Sequence, residues 1–153
     1  MEKIKAVFVA AWGGLLGFLG VLAVPVFLLV GCNVMDYITA FIACKVNGEE
    51  FTSPKSLRGI ARKVLEWLLV CVGVVMDRLL IYAAEVMQLR PPFHFLIACV
   101  VAIWLVLNEL ISILENIKAA GVTLPPFLEP IIKNTKKKIE EQTEIKEEEP
   151  DGK

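Results

Sequence analysis

The order of apolar and polar positions divides most of the chain into long apolar segments. An α-helix rises 1.5 Å per residue, so about 20 apolar residues cross a hydrocarbon core of about 30 Å. The run from Ala6 to Cys44 has roughly twice that length and contains one charged residue, Asp36. Pro25 lies near its middle and predicts a tight turn, because proline interrupts a helix. We therefore predict one helix over about 5–23 and a second over about 26–44.

Two further apolar segments follow the polar stretch KVNGEEFTSPKS, and a charged tail ends the chain. They predict spans over about 60–87 and 93–117, separated by the helix-breaking Arg90-Pro91-Pro92 sequence. From Lys133 onward 13 of 21 residues are charged, so we expect this end to be disordered or a frayed helix. The predicted fold is an all-α integral membrane protein, with about four transmembrane helices over 1–130 and a charged tail over 131–153.

The distribution of lysine and arginine predicts the orientation of these spans. Two precede the first span, five lie in the 45–63 loop, Arg90 is alone before the fourth span, and seven follow from Lys118 onward. Positive charge accumulates on the cytoplasmic side, so both termini and the 45–63 loop are expected there. Lys3 and Lys5 before an apolar run also resemble a signal peptide. Because further apolar segments follow at once, we predict that the first segment remains as a membrane helix.

Composition favours a membrane protein and disfavours several other classes. The 153 residues are 56% hydrophobic with a mean hydropathy of +0.64, more than a soluble chain of this size can bury. The sequence has no basic patch with interleaved aromatics, so no nucleic-acid partner is expected. The four cysteines lack metal-ligand spacing, and His94, the only histidine, has no carboxylate or cysteine at such spacing. We therefore predict no metal, no cofactor and no enzymatic activity.

Small residues form a stripe along the first predicted helix. Gly13, Gly17 and Gly20 follow i, i+4, i+7 spacing, and Ala6 and Ala10 extend the same face. In lipid such a stripe lets two helix backbones approach closely. It predicts close helix packing, within the chain or between copies of it.

Charged residues inside the apolar segments are the first candidates for function. Asp36 lies near the middle of the second span, and Asp77 and Arg78 lie near the middle of the third. A charge facing lipid there costs roughly 2.5–3.5 kcal/mol. Arg78 is therefore expected to pair with Asp36, Asp77 or Glu85, or to face water. At 100° per residue, one polar and small stripe on the third span contains Glu66, Gly73, Asp77, Ala84 and Gln88.

The fourth span carries a polar stripe about 120° wide by the same count of 100° per residue. Within LVLNELISILENI it comprises Asn108, Glu109, Ser112, Glu115 and Asn116. A helix of this kind can bury its stripe against other polar stripes, lie in the membrane interface, or line water. The sequence leaves these alternatives open.

Several of these segments together resemble the phage holins of the clostridial toxin-export and phage-lysis type. The resemblance rests on MDYITAFIA (35–43), LRGIARKV (57–64), Asp77, and NELISILENI followed by GVTLPPFL, and it covers roughly residues 30–130. Ala40 stands where the family often has glycine. The resemblance implies a bacterial cytoplasmic-membrane protein that forms homo-oligomers and opens lesions in the lipid bilayer. A phage endolysin or a large toxin would pass through as cargo.

Three functions follow as hypotheses. In the first, a holin, the pore-facing or gating residues are Asp36, Glu66, Asp77, Arg78, Glu109, Ser112, Glu115 and Asn116. In the second, a small transporter or ion channel binds a proton or cation at a cluster of Asp36, Asp77 and Arg78. In the third, a non-conducting accessory protein recruits a partner through its basic 45–63 loop and tail.

Overall fold

The computed structural model describes residues 2–49, 53–89 and 96–143, and within these ranges the secondary structure is helical. The helices are α1 (Glu2–Leu19), α2 (Ala23–Val46), α3 (Ser53–Val86), α4 (Leu96–Ala119) and α5 (Leu128–Thr143), with a 3₁₀ turn at Gly20–Leu22 between α1 and α2. The predicted all-α fold is confirmed. His94 and the Arg90-Pro91-Pro92 break lie outside the described residues, as does the tail from residue 144.

Helix α4 is the centre of the fold and packs against α2, α3 and α5. Ala98, Ala102 and Leu105 of α4 are almost completely buried, together with Leu29 of α2 and Val70 of α3. Two of these three α4 residues are alanines, whose small side chains let the neighbouring helices approach closely.

Side-chain contacts fix the relative directions of the three packed helices. Asn33, Asp36 and Asn47 of α2 meet Glu109, Asn116 and Ala119 of α4 in that order, so α2 and α4 run parallel. Lys63 and Asp77 of α3 meet Glu109 and Ile97 of α4, so α3 runs antiparallel to both.

The turn that separates the first two helices lies at Gly20, not at Pro25 as predicted. Gly20 has φ +50°, a left-handed conformation that glycine adopts without the steric cost of a Cβ. Pro25 instead lies buried in the first turn of α2, where a helix does not need its missing N–H. Gly20 therefore ends the first helix and does not extend the glycine stripe.

Two predicted loop or tail regions are helical. Helix α3 begins at Ser53, within the predicted 45–63 loop, so Arg62 and Lys63 lie on a helix. Helix α5 continues to Thr143 through the predicted boundary at residue 130. Of the two alternatives for the charged tail, disordered or helical, the described part is helical.

Two of the described helices are long and apolar enough to cross a membrane, where the sequence predicted four spans. They are Gly20–Val46, which joins the 3₁₀ turn to α2, and Leu96–Ala119, which is α4. Large apolar side chains are exposed along their outer faces, among them Leu28, Ile38 and Ile42 of α2. Such a surface is stable against lipid and costly against water.

Helices α3 and α4 approach each other closely at Gly73. A Cβ built on Gly73 would lie 2.9 Å from the Cα of Ala98, which is backbone and cannot rotate away. The position therefore requires glycine for a packing reason. Gly59 lies on the same helix, and a Cβ there would meet nothing within 4 Å.

Gly73→Val should separate α3 from α4 and lower stability by about 1–3 kcal/mol, the usual cost of overpacking. Gly59→Val is the matched control and should be neutral or slightly stabilising, because valine has the higher helix propensity. Thermal unfolding of the purified protein, followed by circular dichroism in one detergent, measures both. Equal melting temperatures for the two variants would contradict the close crossing.

Candidate functional site

A buried ion network joins the three packed helices around Lys63 of α3. Its ammonium lies 3.0 Å from Asp36 Oδ2 of α2 and 3.9 Å from Glu66 Oε2 of α3, and it also pairs with Glu109 of α4. The carboxylate side chains are 3–14% exposed and that of Lys63 is 22% exposed. One cation therefore connects all three helices.

Amide and indole groups complete the hydrogen bonding of this network. The amide of Asn116 donates to Asp36 Oδ1 at 3.1 Å and to the hydroxyl of Thr39 at 3.3 Å. Asn33, with its amide oriented to suit both neighbours, donates to Glu109 at 3.3 Å and accepts from the indole N–H of Trp67 at 3.1 Å. Buried carboxylates are retained only where such partners replace water.

The charges of the network do not balance. The three carboxylates face one partly buried cation, Lys63, and Arg62, which is 74% exposed and donates to Glu66 Oε1 at 3.0 Å. The formal sum is one negative charge when all five groups are ionised. The second oxygen of Glu66 is buried without a hydrogen bond among the described residues.

Asp77 belongs to a second site, at the start of α4. Its Oδ1 and Oδ2 accept hydrogen bonds from the backbone N–H groups of Ile97 and Ala98, at 3.0 and 2.9 Å. These amides form the positive end of the helix dipole. Asp77, which is 4% exposed, is thus neutralised by a helix terminus.

A cleft of about 350 Å³ extends from the ion network to the ends of α2 and α4. Its inner walls include Asn33, Asp36 and Lys63, and its outer walls include Asn47 and Glu49. Polar groups therefore continue from the network to the end of the bundle where Asn47 donates to the carbonyl of Ala119 at 3.2 Å.

The structure brings together some of the predicted site residues and separates others. Asp36, Glu66, Glu109 and Asn116 meet in the network. Ser112 is half-buried, and Arg78 and Glu115 are exposed. The predicted stripe on α4 is divided: its Glu109 and Asn116 edge faces the other helices, and its Glu115 edge faces outward.

The predicted cluster of Asp36, Asp77 and Arg78 is not formed at one level of the bundle. Asp36 pairs with Lys63, which lies 14 residues before Asp77 on α3, a rise of about 21 Å. Lys63 pairs with Asp36, and the α4 terminus accommodates Asp77. Of the alternatives for Arg78, which were pairing with Asp36, Asp77 or Glu85 or facing water, its exposed position agrees with the last.

Among the described residues, none lies close to the glycine stripe of α1 at Gly13 or Gly17. A Cβ at Gly13 or Gly17 would meet nothing within 4 Å. Trp12 packs near Phe27 of α2, with ring centroids 5.3 Å apart. The predicted helix packing through the stripe thus stays a prediction for contacts between copies.

Sequence reasoning missed Lys63, Asn33 and Trp67. In the prediction of orientation, Lys63 was counted among the five basic residues of the 45–63 loop, although it also falls within the third span predicted over about 60–87. Its spacing of three residues from Glu66 on one helix face is the signal that connects it to the polar stripe. In the described residues, no group of three or more histidine, cysteine, aspartate or glutamate side chains is arranged to hold a metal ion.

Two of the described helices that surround the buried polar network have the length and composition to cross a membrane. Residues 13–137, most of the chain, match the bacteriophage holin family. The chain belongs to that family, which is not a family of enzymes, and the resemblance found in the sequence is confirmed. Family membership and the two membrane-length helices together indicate a membrane location.

Similar chains occur in several bacteria. An uncharacterized protein of Clostridium perfringens strain 13 is 35% identical over 74% of this chain and 76% of its own. An uncharacterized 14.9 kDa protein in the nagH 3′ region of Clostridium perfringens is 33% identical over 75% of this chain and 79% of its own. An uncharacterized protein of Listeria innocua is 31% identical over 86% of both chains. No solved structure matches the chain.

Lys63→Met should leave three buried carboxylates without their shared cation and destabilise the protein by roughly 3–5 kcal/mol, as for other broken buried pairs. Arg62→Met, which removes an exposed neighbouring cation, should cost less than about 1 kcal/mol. Adding Glu109→Gln to Lys63→Met should restore part of the loss by removing one unpaired charge. Chemical unfolding followed by tryptophan fluorescence measures all three. If Arg62→Met lowered the free energy of unfolding as much as Lys63→Met, the proposed network would be contradicted.

Proposed function

We propose that the chain is a holin that forms homo-oligomers in the bacterial cytoplasmic membrane and opens large, non-specific lesions. A phage endolysin or a large toxin crosses through them as cargo. Membership of the holin family supports this proposal, and the buried network around Lys63 is the observation that carries it.

The proposed chain crosses the membrane four times, with both termini in the cytoplasm. Helix α1 adds 18 largely apolar residues, about 27 Å. Helix α3 exposes many apolar side chains beyond its charged first turns, including Leu68, Val72, Val75, Leu79 and Leu80. The antiparallel direction of α3 relative to α2 and α4 agrees with alternate crossings.

The network is compatible with two low-energy states of the bundle. Asp36, Glu66 and Glu109 would together cost about 8–10 kcal/mol if they faced lipid. The cost is avoided while the three helices are packed around Lys63, and also if the same side chains face water. A closed bundle and a water-lined lesion therefore both accommodate these residues, whereas a separated helix in lipid does not.

Association between copies is proposed to use α1. Its glycine face has room at Gly13 and Gly17 among the residues that the structure describes, and small residues favour close helix contacts in lipid. The pore-facing or gating role of Asp36, Glu66, Asp77, Arg78, Glu109, Ser112, Glu115 and Asn116 belongs to the same proposal.

A small transporter or ion channel is the second candidate, and the cleft beside Asp36 and Lys63 is the observation that favours it. Solute size distinguishes the two functions, because a transporter does not release whole proteins. Leakage from liposomes containing the purified protein separates both from a non-conducting accessory protein.

Induced expression in bacteria should cause an abrupt loss of membrane potential followed by release of cytosolic protein. The measurements are a voltage-sensitive dye and the activity of a cytosolic reporter enzyme in the medium. Continued polarisation with the protein abundant in the membrane would refute the holin proposal, and depolarisation without enzyme release would favour the channel.

Lys63→Met should bring the loss of membrane potential forward in time, because it weakens the closed bundle. Arg62→Met should leave the time of onset unchanged. Onset is timed by the voltage-sensitive dye at matched membrane abundance, determined by immunoblotting of a tagged chain. If Lys63→Met lost the membrane potential at the same time as the unaltered protein or later, a closed state stabilised by the network would be contradicted.

A further inference from the structure

Helix α5 folds back along α4 and contacts it well inside the apolar segment. The indole N–H of Trp104 donates to Glu140 Oε1 at 2.8 Å, and the ammonium of Lys136 lies 4.8 Å from the centre of the Trp104 ring. Trp104 lies 15 residues before Ala119, the last residue of α4. The charged end of α5 therefore lies beside α4 about 22 Å from that end.

This docked position is incompatible with α4 crossing a bilayer. If Ala119 lies at the membrane boundary, the level of Trp104 is far inside the hydrocarbon of about 30 Å. Lys137, Glu140 and Glu141 would be there too, with side chains that are 50–74% exposed. Their i,i+4 ion pairs, Lys136–Glu140 at 3.8 Å and Lys137–Glu141 at 3.6 Å, do not replace the water around these exposed charges, which at that depth would face lipid. A crossing α4 and a docked α5 therefore exclude each other.

Helix α5 has the pattern of a helix that lies on a membrane surface. At 100° per residue, Leu128, Ile131, Ile132 and Ile139 fall within an arc of about 100°. Lys136 and Lys138 border this arc on its two sides, where long side chains can reach phosphate groups. The remaining charged residues of α5, Glu129, Lys133, Lys137, Glu140 and Glu141, are farther from the arc.

We infer that α5 leaves α4 and binds the anionic lipid surface when α4 crosses the membrane. Its apolar arc then enters the headgroup boundary, and Lys136 and Lys138 bind lipid phosphates. This inference rests on the proposed crossing by α4. The exchange uncovers the Trp104 face of α4 for lipid or for a second copy of the chain.

Spin labels test the exchange in the full chain, with the native cysteines replaced by alanine. Labels at Ile103→Cys on α4 and Asn134→Cys on α5, both exposed positions, report the separation of the helices by pulsed electron resonance. In vesicles containing phosphatidylglycerol, the separation should exceed about 24 Å, the rise between Ile103 and Ala119. A short, docked separation while oxygen shows the Ile103 label in lipid would overturn the inference and leave the holin proposal intact. If the Ile103 label is not in lipid, the proposed crossing itself is wrong.

A label at Ile139→Cys tests the surface contact through its accessibility to oxygen and to a water-soluble nickel chelate. It should enter lipid in phosphatidylglycerol vesicles and remain in water in pure phosphatidylcholine vesicles. Lys136→Gln with Lys138→Gln should lower the ratio of bound to free α5 about 30-fold, at about 1 kcal/mol per lysine. Lys133→Gln with Lys137→Gln is the matched control and should have a much smaller effect. Equal effects, or equal burial in both lipids, would overturn the role of the flanking lysines.

Discussion

The bundle depends on one ammonium group that three helices share. Lys63 is the cation that allows Asp36, Glu66 and Glu109 to lie inside an otherwise apolar protein. Because Lys63 contacts Asp36 of α2 and Glu109 of α4, its position fixes how α2, α3 and α4 are each rotated about their own axes. Removal of a single partner would leave charge in a medium of low dielectric constant, which is far more costly than the absence of the whole network.

Much of the helical arrangement could be predicted from the sequence. Long apolar runs and a few turn residues were sufficient for the helix order, and the polar faces of α3 and α4 identified Glu66, Asp77, Glu109 and Asn116. The first turn was misplaced because Pro25 is tolerated in the first turn of a helix. Gly20 has the backbone conformation that the turn requires, and in the sequence it looks like one more residue of a packing stripe.

The candidate site was only half predictable because its partners are far apart in the chain. The periodic spacing of hydrophobic residues shows which residues share one face of a helix. It does not show which faces of different helices contact each other. Lys63 was counted with the basic residues of a loop, and its pairing depends on α3 beginning at Ser53. Asp77 was expected to need a cation, yet it is satisfied by two backbone amides that the sequence pattern does not distinguish from others.

Helix α3 is held against the neighbouring helices at two separate sites, each of which contains a buried carboxylate. Lys63 attaches it to α2 and α4 near one end. Gly73 and Asp77 contact the start of α4, and Asp77 lies about 21 Å from Lys63 along the helix. Because the two sites are far apart, α3 can neither slide along its axis nor rotate about it without breaking the contacts at both. Departure of α3 from α4 would therefore be a cooperative event, in which the contacts at both sites break together.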